Sequence, residues 1–156
     1  MNTRRKLIIA LGASALASPL SSLAQPAKLR RIGILYPGPQ SDSNDLANVF
    51  LKALRELGRV EGSDFVIEWR YADGKTEPLA ALAAELVKQN VDVIVTEGTS
   101  GVRAARQATT TIPIVTASFA DPVGGGFAAS LAHPGGNITG LSNMGEEVIS
   151  KRMELL

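Results

Sequence analysis

From Arg30 onward, short apolar runs alternate with longer stretches in which apolar residues recur three and four positions apart. The first pattern marks buried strands and the second marks helices that show one face to a core. Arg30-Arg31-Ile32-Gly33-Ile34-Leu35-Tyr36, closed by Pro37-Gly38-Pro39, is the first predicted strand. Ser41 to Asn44 offer N-caps for a helix whose Leu46, Val49, Phe50, Leu54 and Leu57 should pack on the sheet as far as Gly58. Asp64 to Tyr71 is rich in aromatic and β-branched residues and predicts a second strand, at an edge because Glu68 and Arg70 share one face. Thr76-Glu77-Pro78 opens a helix striped by Leu79, Leu82, Ala83, Leu86 and Val87.

The cadence continues with a strand at Val91 to Thr96 and a helix from Thr99-Ser100 through Val102, Ala105 and Ala108. Ile112 to Ala117 is the fourth predicted strand, Gly124 to Leu131 a short helix, and Ile138 to Leu141 a fifth strand. Glu146 to Leu156 reads as one more helix, with Val148, Ile149, Met153 and Leu156 available to pack. Strands alternating with helices require crossover connections, so the predicted fold class is α/β with a doubly wound parallel sheet. Such sheets bind ligands outside the carboxyl ends of their strands, where loop backbones and helix N-termini converge. The loops fixed by this topology are residues 37–44, 97–101, 118–124 and 142–145.

The chain has 156 residues, 45% of them hydrophobic, a formal net charge of +1 and no cysteine. That length allows about one domain, the charge gives no reason to expect a polyanionic partner, and the missing thiols exclude disulfides and thiolate chemistry. Arg4-Arg5-Lys6, the apolar run Leu7 to Ala17 and Ser22-Leu23-Ala24 form the three parts of an export signal, with cleavage expected after Ala24. The Arg4-Arg5 pair leaves two export routes open, the general secretory one and the twin-arginine one. Either route implies a periplasmic location.

A search for chemistry narrows the function to binding. The single histidine, His133, stands beside Pro134-Gly135-Gly136 and far along the chain from Ser100, and no Gly-x-Ser-x-Gly elbow exists, so a hydrolase triad has no support. Neither Gly124-Gly125-Gly126 nor Gly33 to Gly38 makes a nucleotide loop, and one His without Cys makes no recognisable metal shell. No cofactor, metal or catalytic group is therefore expected. Glu97-Gly98-Thr99-Ser100 sets hydroxyls and backbone N–H groups at a helix N-terminus, which suits either plain capping or a bound carboxylate. Asp121 suits either an Asp-Pro turn or an ammonium partner. Together the two loops would make a site for an amino acid or similar small zwitterion.

Several segments, in order from Arg30 to the last residue, carry a resemblance. Arg31-Ile32-Gly33-Ile34-Leu35, Leu54-Arg55-Glu56-Leu57-Gly58, Val91-Asp92-Val93-Ile94-Val95, Asp121-Pro122-Val123-Gly124, Pro134-Gly135-Gly136-Asn137-Ile138-Thr139-Gly140 and Lys151-Arg152-Met153-Glu154-Leu155-Leu156 are among them. The chain resembles the ABC-transporter substrate-binding proteins of the periplasmic type I class, in the branch that includes binders of tryptophan and related aromatic amino acids. The resemblance implies a non-enzymatic receptor that captures a small solute between two lobes and delivers it to an ABC permease in the inner membrane. By position it implies that Gly38, Thr99, Ser100, Ser118 and Asp121 form the first lobe's half of the cleft, while Trp69 and Tyr71 are read as packing residues. The expected organisation is a signal peptide at 1–24, a solute-binding lobe at 28–145, and at 146–156 the start of a crossover helix toward a second lobe that this chain does not contain. A sensory or interaction module with the same fold and no transport role is the alternative. If the leader is cleaved as expected, N-terminal sequencing of the exported protein will begin at Gln25.

Overall fold

The computed structural model describes residues 29–130, 132–133 and 135–143. The leader, Leu131 and the helix expected over 146–156 lie outside the described residues. Five strands form one sheet: β1 (Arg30–Tyr36), β2 (Phe65–Tyr71), β3 (Val93–Thr96), β4 (Ile114–Ala120) and β5 (Ile138–Asn143). Three helices connect them: α1 (Gln40–Glu56), α2 (Leu79–Lys88) and α3 (Gly98–Ala108). All pairings are parallel and the spatial order is β2-β1-β3-β4-β5. The doubly wound α/β sheet expected from the sequence is therefore present, and β2 takes the predicted edge.

Alternation along each strand divides the residues between the two faces of the sheet. Leu35, Ile94, Ile114 and Ile138 face one layer, where they meet Leu79, Ala83 and Leu86 of α2 and Val102 and Ala105 of α3 in a single buried cluster. Gly33 is part of this fit: a Cβ there would stand 3.1 Å from a methyl of Leu86 and 3.2 Å from one of Val91. Ile34 and Phe65 are buried outside that cluster. Arg70 on the edge strand donates from Nε to Glu85 Oε2 at 2.8 Å, tying β2 to α2.

Several boundaries differ from those predicted, each for a local reason. Helix α1 begins at Gln40, ahead of the expected caps, and Pro39 in extended conformation precedes it with no side-chain cap. Ser43 instead turns inward, 1% exposed, and its hydroxyl donates to the Gln40 carbonyl at 2.8 Å. Val49 and Leu57, expected against the sheet, are 66% and 75% exposed, because the inward face runs through Ser43, Ala47, Phe50, Leu51 and Leu54. Helix α2 starts one residue after Pro78, with the Leu79 N–H donating to the Thr76 carbonyl. Strand β3 begins at Val93 rather than Val91, although Asp92 still joins Arg31: its N–H donates to the Arg31 carbonyl and its Oδ2 accepts from the Arg31 N–H, each at 2.8 Å.

The largest corrections lie after β4. That strand runs on through Ser118 to Ala120, past a register shift between Thr116 and Phe119. Facing this irregularity, Gly140 has φ 144°, and a Cβ on it would collide with the Thr116 backbone. The helix expected from Gly124 is absent among its described residues. Residues 122–126 form turns instead, since three successive glycines hold helical geometry poorly and Gly126 adopts φ 69°. Asn137 then ties the return to the sheet: its side-chain amide donates to the carbonyls of Thr109 at 3.3 Å and Ile112 at 2.8 Å, while its own carbonyl accepts from the Ile114 N–H. Asn137→Ala would leave both carbonyls without this donor and should cost about 1–3 kcal/mol, read as a lower urea midpoint at unchanged slope.

Candidate functional site

Strand order decides where a site can form. β1 and β3 are neighbours, yet the chain leaves β1 toward β2 and leaves β3 toward β4. The two connections diverge, and it is at such a point, between the carboxyl ends of β1 and β3, that open α/β sheets form a ligand crevice. The loop at Pro37-Gly38 forms one wall and the start of α3 forms the other.

Both walls are held in place by the backbone. The carbonyls of Tyr36, Pro37 and Gly38 accept from the N–H groups of Ala72, Gly74 and Asp73 at 3.0, 2.8 and 3.3 Å, which fastens the first wall to the connection after β2. On the second wall, buried Thr96 donates from Oγ1 to the Leu35 carbonyl at 2.7 Å, joining the ends of β3 and β1. Gly101 packs directly over that hydroxyl: a Cβ would collide with Thr96 Oγ1 and stand 3.4 Å from Pro37 Cγ. Any side chain at Gly101 would push the first turn of α3 off the strand ends. Gly98, with φ 68°, makes the tight entry into the helix, and Glu97 precedes it without capping it.

Pro37, beside Gly38, thus meets the first turn of α3 at Gly101, the turn that also bears Thr99 and Ser100. Those two residues also line a cavity of about 380 Å³ with Thr76, Leu79, Ala80, Arg103 and Gln107, between the start of α2 and the length of α3. Arg103, one turn into α3, escaped the reading of the sequence because nothing distinguished it from other surface arginines. Ser118 sits on the next strand across, and Asp121 directly follows that strand. Ser118 lies within β4, not in a loop, and its carbonyl accepts from Thr116 Oγ1 at 3.0 Å. Asp121 has φ 41° and its Oδ1 accepts the Gly124 N–H at 2.7 Å, so it closes its own Asp-Pro turn. The turn is exposed, and Oδ2 projects over Gly124, where a Cβ would collide with it. His133 is exposed and uses its backbone, not its ring, to close a turn with Ser130.

Tyr36, the last residue of β1, is the group that sequence reasoning missed. Its ring meets Tyr71 edge-on, with centroids 6.4 Å apart at 77°, and Tyr71 stacks on Trp69 at 5.6 Å and 6°. The packing role expected of Trp69 and Tyr71 therefore extends to a third ring. Gly38 permits it, since a Cβ there would stand 2.7 Å from Tyr36 Cε1. Burial pushes the Tyr36 hydroxyl above the ordinary tyrosine value, and the carboxylates of Glu97 and Asp42 push it further in the same direction. Two smaller cavities, of about 290 and 370 Å³, share Arg106 and Phe127, and the second reaches Arg103 as well. There the Arg106 guanidinium sits 5.5 Å from the Phe127 ring centroid and donates to the Gly126 carbonyl, anchoring the β4–β5 connection on α3.

Comparison with known proteins agrees with this geometry. Residues 38–156 match the family model described as ABC transporter substrate binding protein. A tyrosine-binding protein of Clostridioides difficile strain R20291 is 31% identical over 129 residues, covering 83% of this chain and 37% of that protein. A ligand-free, open substrate-binding protein with adhesive properties from Clostridium difficile superposes with a TM-score of 0.71 at 28% identity, over 82% of this chain and 43% of that one. A Streptococcus pneumoniae ABC domain in complex with L-Trp gives 0.66 at 25% identity, over 73% of this chain and 38% of that one. The chain thus spans less than half the length of each of these relatives.

The raised Tyr36 value has a measurable sign. Folding holds this phenol proton more tightly than the unfolded chain does, so the associated stability is present below the ordinary tyrosine value and is lost as pH rises through the folded value. The phenolate absorbance that disappears in Tyr36→Phe should accordingly titrate above the ordinary tyrosine value.

Proposed function

The chain belongs to the ABC transporter substrate-binding protein family, and from that premise we propose that it is the periplasmic solute-binding component of an ABC importer, capturing an amino acid in the crevice at the ends of β1, β3 and β4. The observation that carries this reading is the convergence of the Pro37-Gly38 loop and the α3 N-terminus on the point where strand order reverses. The family's proteins are binders, and binding without catalysis is the role proposed here.

In this reading the carboxylate of the solute meets the N–H groups and hydroxyls at Thr99 and Ser100, where the positive end of the α3 dipole adds to the charge of Arg103. Gly38 keeps the opposite wall low. Ser118 contributes from β4 and Asp121 from the turn that follows it, with Asp121 Oδ2 offered to the ammonium group. Relatives that bind tyrosine and L-Trp make aromatic amino acids the first solutes to test. An inner-membrane ABC permease is the proposed partner, receiving solute once the cleft closes around it.

L-tyrosine and L-tryptophan should raise the midpoint of thermal unfolding in a concentration-dependent way. Replacing Thr99 and Ser100 together by Ala should weaken binding about tenfold, equivalent to about 1.4 kcal/mol. Asp121→Ala should also reduce the ligand-induced shift. A variant lacking Thr99, Ser100 and Asp121 that binds as the original chain does would rule out this site.

A further inference from the structure

We propose that Arg106 is a positioning residue for recognition of the solute's ammonium group: it latches the turn that bears Asp121 onto α3, an inference that rests on the amino-acid site proposed above. Asp121 leaves β4 with φ 41°, a left-handed conformation that a residue with a side chain keeps only where its surroundings hold it. Much of that hold lies inside the turn. The Gly124 N–H donates to Asp121 Oδ1 at 2.7 Å and the Gly125 N–H to the Asp121 carbonyl at 3.0 Å. The N–H groups of Phe127 and Ala128 both donate to the Pro122 carbonyl at 2.9 Å. Residues 121–128 are thereby tied into one piece, with Oδ1 engaged within it and Oδ2 the oxygen for the solute.

The place of that piece relative to α3 is set by two attachments. Phe127 is buried in the core with Val102, Ala105 and Ile138, which supplies a pivot. Arg106 supplies the second point: its guanidinium lies 5.5 Å from the Phe127 ring centroid and donates to the Gly126 carbonyl. A single pivot leaves the turn free to rotate, and the second contact removes that freedom. Arg106 stands about two helical turns along α3 from Thr99 and Ser100. One helix therefore carries both the groups proposed for the carboxylate and the clamp on the turn proposed for the ammonium, so α3 itself sets the spacing between the two ends of the site. Charge alone would act in the opposite direction. Removing a cation should strengthen the hold on an ammonium group, whereas removing a latch should weaken it.

Titration calorimetry of the complete chain with L-tyrosine and with its des-amino analogue separates these effects. Arg106→Ala should weaken L-tyrosine about tenfold and leave the analogue, which has no ammonium, unchanged. In an Asp121→Ala background the same substitution should have no further effect, since the carboxylate it positions is gone. Arg106→Lys, which keeps the charge and a donor without the planar guanidinium, should show a smaller loss confined to L-tyrosine, and it carries the test if Arg106→Ala does not fold. Tighter binding of L-tyrosine, equal losses for both probes, or an undiminished effect in the Asp121→Ala background would each overturn the latch. If Asp121→Ala weakens L-tyrosine while the Arg106 variants are silent, the latch falls and the amino-acid site stands. An original chain that binds neither probe, or an Asp121→Ala variant that binds L-tyrosine unchanged, would remove both.

Discussion

The contact on which the site depends is the bond from Thr96 Oγ1 to the Leu35 carbonyl, roofed by Gly101. Backbone pairing alone aligns β1 and β3 only as far as Leu35 and Thr96. Beyond that point the two connections separate, and the hydroxyl bond keeps the strand ends together while the crevice opens above them. Because Gly101 has no side chain, the first turn of α3 descends onto this joint and its N–H groups face the opening. A bulkier residue there would preserve the sheet and misplace the wall.

A second set of constraints works at a distance from the crevice. Arg106 on Phe127 and Asn137 on the carbonyls of Thr109 and Ile112 both tie the long β4–β5 connection back to the α3 end of the fold. Asp121 begins that connection, so its orientation depends on residues up to 16 positions away along the chain. The Asn137 strut also gives a physical reason for the Pro-Gly-Gly-Asn segment: the two glycines shape the turn and the amide closes it.

Much of the architecture was legible because binary patterning is local. The run Arg30 to Tyr36 was bounded by Pro-Gly-Pro and matched β1 at both ends, and the charged pair Glu68 and Arg70 correctly put β2 at an edge. The extension of β4 through Ser118 was not legible, because it depends on a register break opposite Gly140, a partner 22 residues later. Likewise Val49 and Leu57 satisfy helical spacing but fall on the exposed side of α1, whose half-buried residues include Ala47, Phe50, Leu51 and Leu54. At the candidate site, loops following strands could be named from topology, which is how Gly38, Thr99 and Ser100 became candidates. Tyr36 was hidden because a tyrosine at the end of an apolar strand reads as core, and only the edge contact with Tyr71 and the acids from two other elements distinguish it.

The pairing at the centre of the sheet also constrains how the chain comes into being. Leu35 and Thr96 are 61 residues apart, and β1 meets β2 before β3 exists, so a nascent chain holds two parallel strands and α1 with the inner edge of β1 unpaired. Contacts so distant in sequence form slowly, since a long loop must close before it is stabilised. Until Thr96 has emerged and docked, that open edge is a surface on which another unfinished chain can pair. The same joint that shapes the crevice is therefore a late step of folding, and a chaperone acting on this protein has most to shield in the interval between the synthesis of β2 and that of β3.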